Sequence, residues 1–547
     1  MANNHLFFLL LSLHAIAASA QSVFVSIDCG NSSNSVYTDK IGIAWSGDDL
    51  YIHTGENKVV RKPNSVSQVL RTLRVFSTRK KNCYSIPFSK GTQALVRASF
   101  YYGNYDKKRF PPSFDIQLDG NQWSTVYTSR KNLVSVEAIY VVRRDNISVC
   151  LAQTQPNQFP FISSLEVRSL DPSMYDKVDS NYAMFLARRT AFGTNQSIRY
   201  PADGYDRIWV AEPGSGNGII SVASNAQQIS TYNCLDYPPS HVVQNAITTE
   251  NTSIPIILDT NFLPPKDVPV YANFYFSDVF PLDTATQKRS FNIDVDDAPF
   301  TTTPIVPPFG NVTEFYTVNA TVSSKNKVSL VSTSDSKFPP LINAMEVFII
   351  SGPLTNGTNN DDVQQLSLLQ TQFGLLAEWS GDPCLPAPFT WDWVACNSDA
   401  TPRITALYLS GFGLSGTLPD FSSMVALQTI DLHNNSLTGE IPAFLGDLPN
   451  LQLLNLADNN FSGTVPMSLS QNKKLKLDVS GNRKLCTSCE SSVPSSSDKK
   501  SNKLPIILGV TIPVFIVSLV IVGFVAIAYH RRKTAVYATT MNAGWPI

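Results

Sequence analysis

FYYGNYDKKRF, at residues 100–110, gathers Tyr101, Tyr102 and Tyr105 around Asn104 and Asp106, and Trp123 ends the nearby run FDIQLDGNQW. Aromatic faces accept the apolar C–H side of a pyranose, while amides and carboxylates take its hydroxyls. These six residues are therefore candidates for holding a carbohydrate. A competing reading comes from strand geometry: side chains alternate along a strand, so one of Tyr101 and Tyr102 points into a core.

Catalytic chemistry finds less support. Of six histidines, His5 and His14 fall in an apolar leader and His530 follows the apolar run near the other end. His53, His241 and His433 remain, none beside a nucleophile motif, and neither G-x-S-x-G nor H-E-x-x-H occurs. GSGNG from Gly214 lies between RIWV and IISVA. That context makes it a turn between strands, since a phosphate cradle needs a helix to follow. Asp294, Asp296 and Asp297 could serve a glycosidase, which needs two carboxylates, but nothing singles out a pair. Cys486-x-x-Cys489 lacks the second pair of a structural zinc site. The expectation is a non-enzyme with no cofactor and no metal. With 42 Lys+Arg against 43 Asp+Glu there is no basic excess to neutralise phosphates, which argues against nucleic acid as a partner.

The elements that position these residues are mostly strands. From residue 22 to about 350, short runs of Val, Ile, Phe and Tyr are broken every ten residues or so by Gly, Pro, Asn and Asp, the pattern of a β-sandwich. The pattern occurs twice. RASFYYGNYD from Arg97 is echoed by YANFYFSDVF from Tyr271, FDIQLDGNQW from Phe114 by FNIDVDDAPF from Phe291, and PFISSLEVRSL from Pro160 by PPLINAMEVFI from Pro339. The offsets of 174, 177 and about 180 predict two tandem sandwiches of one fold, 22–190 and 191–350, joined near 185–198. The second copy keeps Phe274, Tyr275 and Phe276 but has Ser277 and Asp278 in place of Gly103 and Asn104, so it should not repeat the first copy's sugar site. SIDCG at Ser26, GNYD at Gly103, CLAQTQPNQFPFISSLEVRSL from Cys150 and DRIWV at Asp206 resemble the malectin-like region of plant receptor-like kinases. The resemblance covers residues 22–350 and implies a β-sandwich lectin-like fold, associated with cell-wall glycans or secreted peptides.

Beyond Asp361 the period changes. Val363, Leu366, Leu369, Phe373 and Leu376 recur at spacings of three and four, an amphipathic helix with Asp361 or Asp362 to cap it. WSGDPCLPAPFTWDWVAC follows, with Cys384 and Cys396 expected to form a disulfide. This stretch resembles the GDPC motif that in the same family joins the malectin-like part to leucine-rich repeats and covers their first layer, so 361–400 is assigned as helix and cap. ITALYLSGFGLSGTLP, LQTIDLHNNSLTGEIP and LQLLNLADNNFSGTVP then align on LxxLxLxxNxLxGxIP, with Leu409, Leu432 and Leu456 one period apart. Asn435, Asn459 and Asn482 take the inward ladder position, Phe412 replaces it in the first repeat, and Cys486 with Cys489 closes an array over 401–490. Such a solenoid offers a concave surface to a protein partner or serves as a spacer.

The ends suggest compartment. Residues 1–20, MANNHLFFLLLSLHAIAASA, read as a secretory signal peptide. A Ser/Lys stalk, 491–503, precedes an apolar run at 504–529 long enough for one transmembrane helix, and 530–547 carries no kinase motif. Nine N-x-S/T sequons precede that run, at Asn31, Asn146, Asn195, Asn251, Asn311, Asn319, Asn356, Asn434 and Asn460. All eight cysteines precede it too, an even number suited to disulfide pairing, with the partners of Cys29, Cys83, Cys150 and Cys234 left open. The whole order resembles a plant receptor-like protein, the kinase-lacking counterpart of malectin-like leucine-rich-repeat receptor kinases. That resemblance implies a single-pass plasma-membrane glycoprotein with its N-terminus outside and its one span in membrane lipid. Such a protein would recognise a glycan or peptide ligand and act through a receptor-like kinase or co-receptor. A wall-to-membrane tether and, more distantly, a carbohydrate-active enzyme are the alternatives.

Overall fold

A computed structural model describes residues 23–486 apart from 32–35, 217, 284 and 285. The leader, the stalk, the apolar run 504–529, the tail and Cys489 lie outside the described residues. Among the described residues no helix is long and apolar enough to cross a membrane.

The alternating runs form antiparallel sheets. In the first lobe Phe24–Asp28, Ser164–Ser169, Gln93–Phe100 and Val134–Val141 lie side by side in that order, and in the second Met184–Phe192, Ala344–Ile350, Val268–Phe276 and Thr313–Val322 repeat it. A second layer covers each. It is built from Lys81–Pro87, Asn146–Ala152, Ser113–Leu118 and Asn121–Tyr127 in the first lobe, and from Ile256–Leu258, Val328–Ser332, Phe291–Val295 and Ala298–Pro299 in the second. The echoed segments thus occupy corresponding strands of two sandwiches, because the same period-two apolar pattern selects the same inward face.

The two main sheets are one sheet. Ala138 pairs with Phe185 and Ile139 with Met184, so the last strand of the first lobe continues into the first strand of the second. Met184–Phe192 pairs along its length with Ala344–Ile350. It therefore belongs to the second lobe, and the lobes meet near residue 183 rather than at 190. Aromatic rings fill the first sandwich, with Phe100, Phe114 and Phe161 in mutual edge contact. The other face of the joined sheet buries charge instead: Arg97 meets Glu137 and Glu166, Arg168 meets Asp206, and Arg189 spans the lobes by donating to Glu137 at 2.7 Å and Glu346 at 2.6 Å.

Asn360–Gln372 is the expected helix, but its cap is Asn359, whose side chain accepts from the backbone N–H groups of Asp361 and Asp362. Those two sit inside the first turn, where Asp362 is buried and takes a bidentate Arg403. A capping residue must precede the first turn, which is why neither aspartate can do it. Behind the cap, Ile404–Tyr408, Thr429–Asp431, Leu453–Asn455 and Lys476–Asp478 stack as a parallel sheet, headed by antiparallel Val394–Cys396. Each ladder asparagine satisfies two neighbouring turns. Asn435 donates to the carbonyls of Leu409 and Leu432 and accepts from Leu414 N–H, Asn459 joins Leu432 to Leu437, and Asn482 joins Leu456 to Phe461.

Cys384 is bonded to Cys396, and Cys83 to Cys150 on the adjacent strand. The even count misleads at the other two: among the described residues Cys29 and Cys234 are buried free thiols, in the cores of different lobes.

Candidate functional site

The structure divides the sugar-binding candidates. Tyr102 is 0% exposed and packs edge-on against Tyr105 and tilted against Phe161. Its hydroxyl donates to Asp106, and burial first, then that bond, holds the phenol above its ordinary range. Asn104 takes a left-handed φ of 53° and its side-chain oxygen accepts from Arg109 N–H, while Asp106 also accepts from Lys108 N–H. Tyr101 and Tyr105 are partly buried against the same core. Trp123 is only 6% exposed and lies stacked on Phe185 of the second lobe. The turn's polar groups are spent on the turn itself, and neither Tyr102 nor Trp123 presents a face to a sugar ring. Tyr102 is hidden because the turn after Gln93–Phe100 folds its ring back onto Phe161, and Trp123 because the neighbouring lobe covers it.

A second constellation, unseen in the sequence, fastens the cap to the first lobe. Lys81 donates to the carbonyls of Asp382 at 2.6 Å, Leu385 at 2.7 Å and Phe389 at 3.0 Å. Burial pushes its ammonium down to about 8, with the Asp382 charge opposing. The Arg79 guanidinium lies 3.6 Å over the Trp379 ring and pairs with Glu378. Within the GDPC motif, Gly381 has φ +77° and sits where a Cβ would come within 2.6 Å of Cys83 Sγ and 2.8 Å of Cys150 Sγ. Only glycine lets the chain cross the first lobe's disulfide this closely. Asp382 then accepts from Thr358, Cys384 N–H, Leu385 N–H and Arg144. The motif therefore does more than cover the repeats: it locks them to the first sandwich. The one sequence signal was Lys81, a lysine two residues before a cysteine in an otherwise core-like strand.

The third constellation is the open face of the repeat sheet. Tyr408, Asp431, Asn455 and Asp478 stand in register on successive strands. Strand spacing sets them about 4.8 Å apart. Tyr408 is 47% exposed, and His433 Nδ1 lies 2.7 Å from Asp431 Oδ1. Hydrogen bonds from Ser480, the backbone one first, hold Asp478 below the usual carboxylate range, so this end of the column stays anionic. Each polar residue serves its own turn through one oxygen, Asp431 to His433, Asn455 to Ala457 and Asp478 to Ser480. The second carboxylate oxygens of Asp431 and Asp478, beside the Tyr408 ring, are therefore what the column offers to the N–H groups or cation of an extended chain. The column could have been found in the sequence as the residue following the second leucine of each repeat.

Six sequons, at Asn195, Asn251, Asn311, Asn356, Asn434 and Asn460, are exposed, whereas Asn31 and Asn146 are partly covered. The backbone at Asn319 lies in the edge strand Thr313–Val322.

Comparison with known proteins agrees with this architecture. The malectin-like domain model matches residues 27–350, and the leucine-rich-repeat model matches 426–448 and 450–472. The chain is 35% identical over 433 residues to an Arabidopsis thaliana probable LRR receptor-like serine/threonine-protein kinase, At1g05700, covering 77% of this chain and 50% of that protein. It is 35% identical over 364 residues to the uncharacterized protein At1g24485 of Arabidopsis thaliana, covering 66% of this chain and 71% of that one. The chain spans about half the length of the receptor kinases it matches. Among solved structures, the ANX2 ectodomain from Arabidopsis thaliana superimposes with a TM-score of 0.51 at 15% identity over 60% of this chain and 97% of that one, a likeness of fold. Tandem sandwiches, a GDPC cap and a short repeat array make up one continuous architecture, and the chain belongs to the malectin-like family in its leucine-rich-repeat form.

Proposed function

We propose that the chain is a cell-surface receptor-like protein that recognises a secreted peptide along the repeat column and acts through a partner kinase or co-receptor. The observation that carries this reading is the in-register strip Tyr408, Asp431, Asn455 and Asp478, exposed at its two ends and half-buried between them, on a sheet that the cap fixes to the first lobe. A peptide is favoured over a glycan because Tyr102 and Trp123, two of the aromatic residues first suited to a sugar, are buried and Tyr101 and Tyr105 are partly covered. Support from relatives is of two kinds. The kinases matched are receptor-like, and a solved neighbour at TM-score 0.50 and 16% identity is described as the plant peptide RALF23 in complex with FER and LLG2, an assembly of ligand and two proteins. In this reading residues 1–20 direct export, 504–529 span the plasma membrane and the exposed sequons carry glycans. The protein itself has no catalytic step.

The test is a peptide and glycan binding screen on the full chain, repeated with Tyr408→Ala and Asp431→Asn. We expect a peptide hit whose affinity falls about tenfold, or ~1.4 kcal/mol, in either variant. Binding that ignores both substitutions would remove the column as the site. If ligand leaves the set of co-purifying kinases unchanged, the receptor reading yields to the tether.

A further inference from the structure

The two lobes allow a residue-by-residue comparison of their interiors. Leu118 and Val295 hold one place in FDIQLDGNQW and FNIDVDDAPF, and Ala94 and Val268 hold one place ahead of RASF and YANF. Strand register extends the match sideways. Leu118 pairs with Val149 and that with Tyr84, while Val295 pairs with Val328 and that with Leu258. On the facing sheet Ala94 pairs with Tyr140, and Val268 with Val322. Leu258 and Val322 therefore stand where the first lobe has Tyr84 and Tyr140. Both tyrosines are buried, with hydroxyls bonded to Asp48 at 2.8 Å and Asp119 at 2.7 Å.

Removing two rings from a sandwich of fixed sheet spacing leaves space. In the second lobe that space is a cavity of about 150 Å³, walled by Leu258, Val270, Phe274, Ile293, Val322 and Val347. Its mouth is also explained by the repeat. Trp123 of the first lobe is sealed by Phe185, whereas its counterpart Phe300 lines the cavity and is 42% exposed. Among the described residues Thr313–Val322 is the last strand of the sheet, so no following lobe supplies a ring to close that end.

We propose that this cavity binds a neutral aromatic ring, at a site separate from the repeat column and independent of the reading given there. Three properties specify the occupant. The volume matches that of apolar cavities known to take one benzene-sized ring. The first lobe fills the same space with phenol rings. Asp259, Thr260 and Thr321 at the rim, with no lysine or arginine among the described residues that line the cavity, disfavour an anion. The ring can belong to a free small aromatic or to the side chain of a peptide.

The experiment titrates the full chain with p-cresol, the side-chain analogue of the missing tyrosines, by calorimetry. Saturable binding is expected, with affinity lowered about tenfold or more by Val322→Phe, which refills the cavity, and unchanged by Tyr408→Ala on the repeats. Competition by N-acetyltyrosinamide identifies a peptide side chain as the source; p-cresol binding without it identifies a free aromatic, and both results support the site. Absence of saturable binding by either compound, or binding that survives Val322→Phe, overturns it. Should Val322→Phe fail to fold, Val322→Ala decides: a raised affinity for 2-naphthol relative to p-cresol supports the cavity, and an unchanged ratio overturns it.

Discussion

Glu166 and Glu346 occupy the same place in the two copies of the sandwich, yet they are held by different chemistry. Glu166 meets the guanidiniums of Arg97 and Arg199, so this buried carboxylate of the first lobe is matched by cations. Glu346 has one guanidinium, Arg189, and otherwise accepts from the phenols of Tyr175 and Tyr275. Around it the Asp236 carboxyl accepts from Tyr175 N–H and the Tyr271 phenol, and the Glu314 carboxyl from Leu235 N–H, all neutral donors. The interiors differ in the opposite sense, with rings filling the first sandwich and a cavity in the second. A duplicated fold keeps its strand register while the core of each copy diverges. The first copy is closed by the second lobe on one flank and by the GDPC cap on another, whereas the second keeps an open end.

Arg189 is where the two charge schemes meet, and removing it should have the largest effect. Arg189→Met would take the guanidinium from Glu346 in one lobe and leave Glu137 in the other to Arg97 alone, both carboxylates being buried. Breaking a buried pair this way costs about 3–5 kcal/mol. Chemical denaturation of the full chain should show the loss, and hydrogen exchange should rise across Val134–Val141 and Met184–Phe192 together, since they pair at only two positions. A loss confined to one lobe would mean that the lobes do not depend on this arginine for their junction.

Exchanging interior residues between lobes sharpens the comparison at a smaller scale. Tyr140→Val gives the first lobe the second lobe's residue, empties a ring from a well-packed core and leaves Asp119 without its phenol donor. We expect a loss of about 2–4 kcal/mol. The reverse change, Val322→Phe, fills an existing space and should alter stability by less than about 1 kcal/mol. Equal costs in thermal melts would mean that the second lobe is as tightly packed as the first.

This asymmetry shows what sequence could and could not carry. The paired echoes located both sandwiches because an apolar strand pattern has a period of two wherever it occurs. The ladder asparagines were legible because each does one job at one place in a long motif. Trp123 was misjudged because its cover, Phe185, comes from the next lobe through edge pairing, which uses backbone groups that every residue shares. Lys81 likewise meets its three carbonyls some three hundred residues later in the chain. The cavity was hidden because Tyr84 and Tyr140 fall outside the echoed segments and are matched to Leu258 and Val322 only through strand register.

The smallest expected effect concerns the carboxyls held by neutral donors. Burial first, then the neighbouring Asp236, raises Glu314 to about 8, and burial raises Asp236 to about 6. Unfolded, both titrate near pH 4, so between there and pH 8 the folded lobe retains protons that the unfolded chain has released. Their contribution to stability is complete below about pH 4 and is lost as pH rises through about 6 and then 8. Glu314 is partly exposed, and solvent screening reduces the change to about 1 kcal/mol. The first lobe's Glu137 moves the other way, held below its usual range because Arg189 and Arg97 outweigh its burial. Burial raises that lobe's Asp28 to about 6, however, so the first lobe has a smaller loss of its own over the lower part of this range. Hydrogen exchange at pH 5.5 and 8 should therefore show Val268–Phe276 and Thr313–Val322 opening more readily at the higher pH. Glu314→Gln keeps the shape and removes the titration, and the pH dependence of the second lobe should flatten with it. A second lobe whose pH dependence survived Glu314→Gln unchanged would place the cause outside that carboxyl and erase the electrostatic half of the comparison.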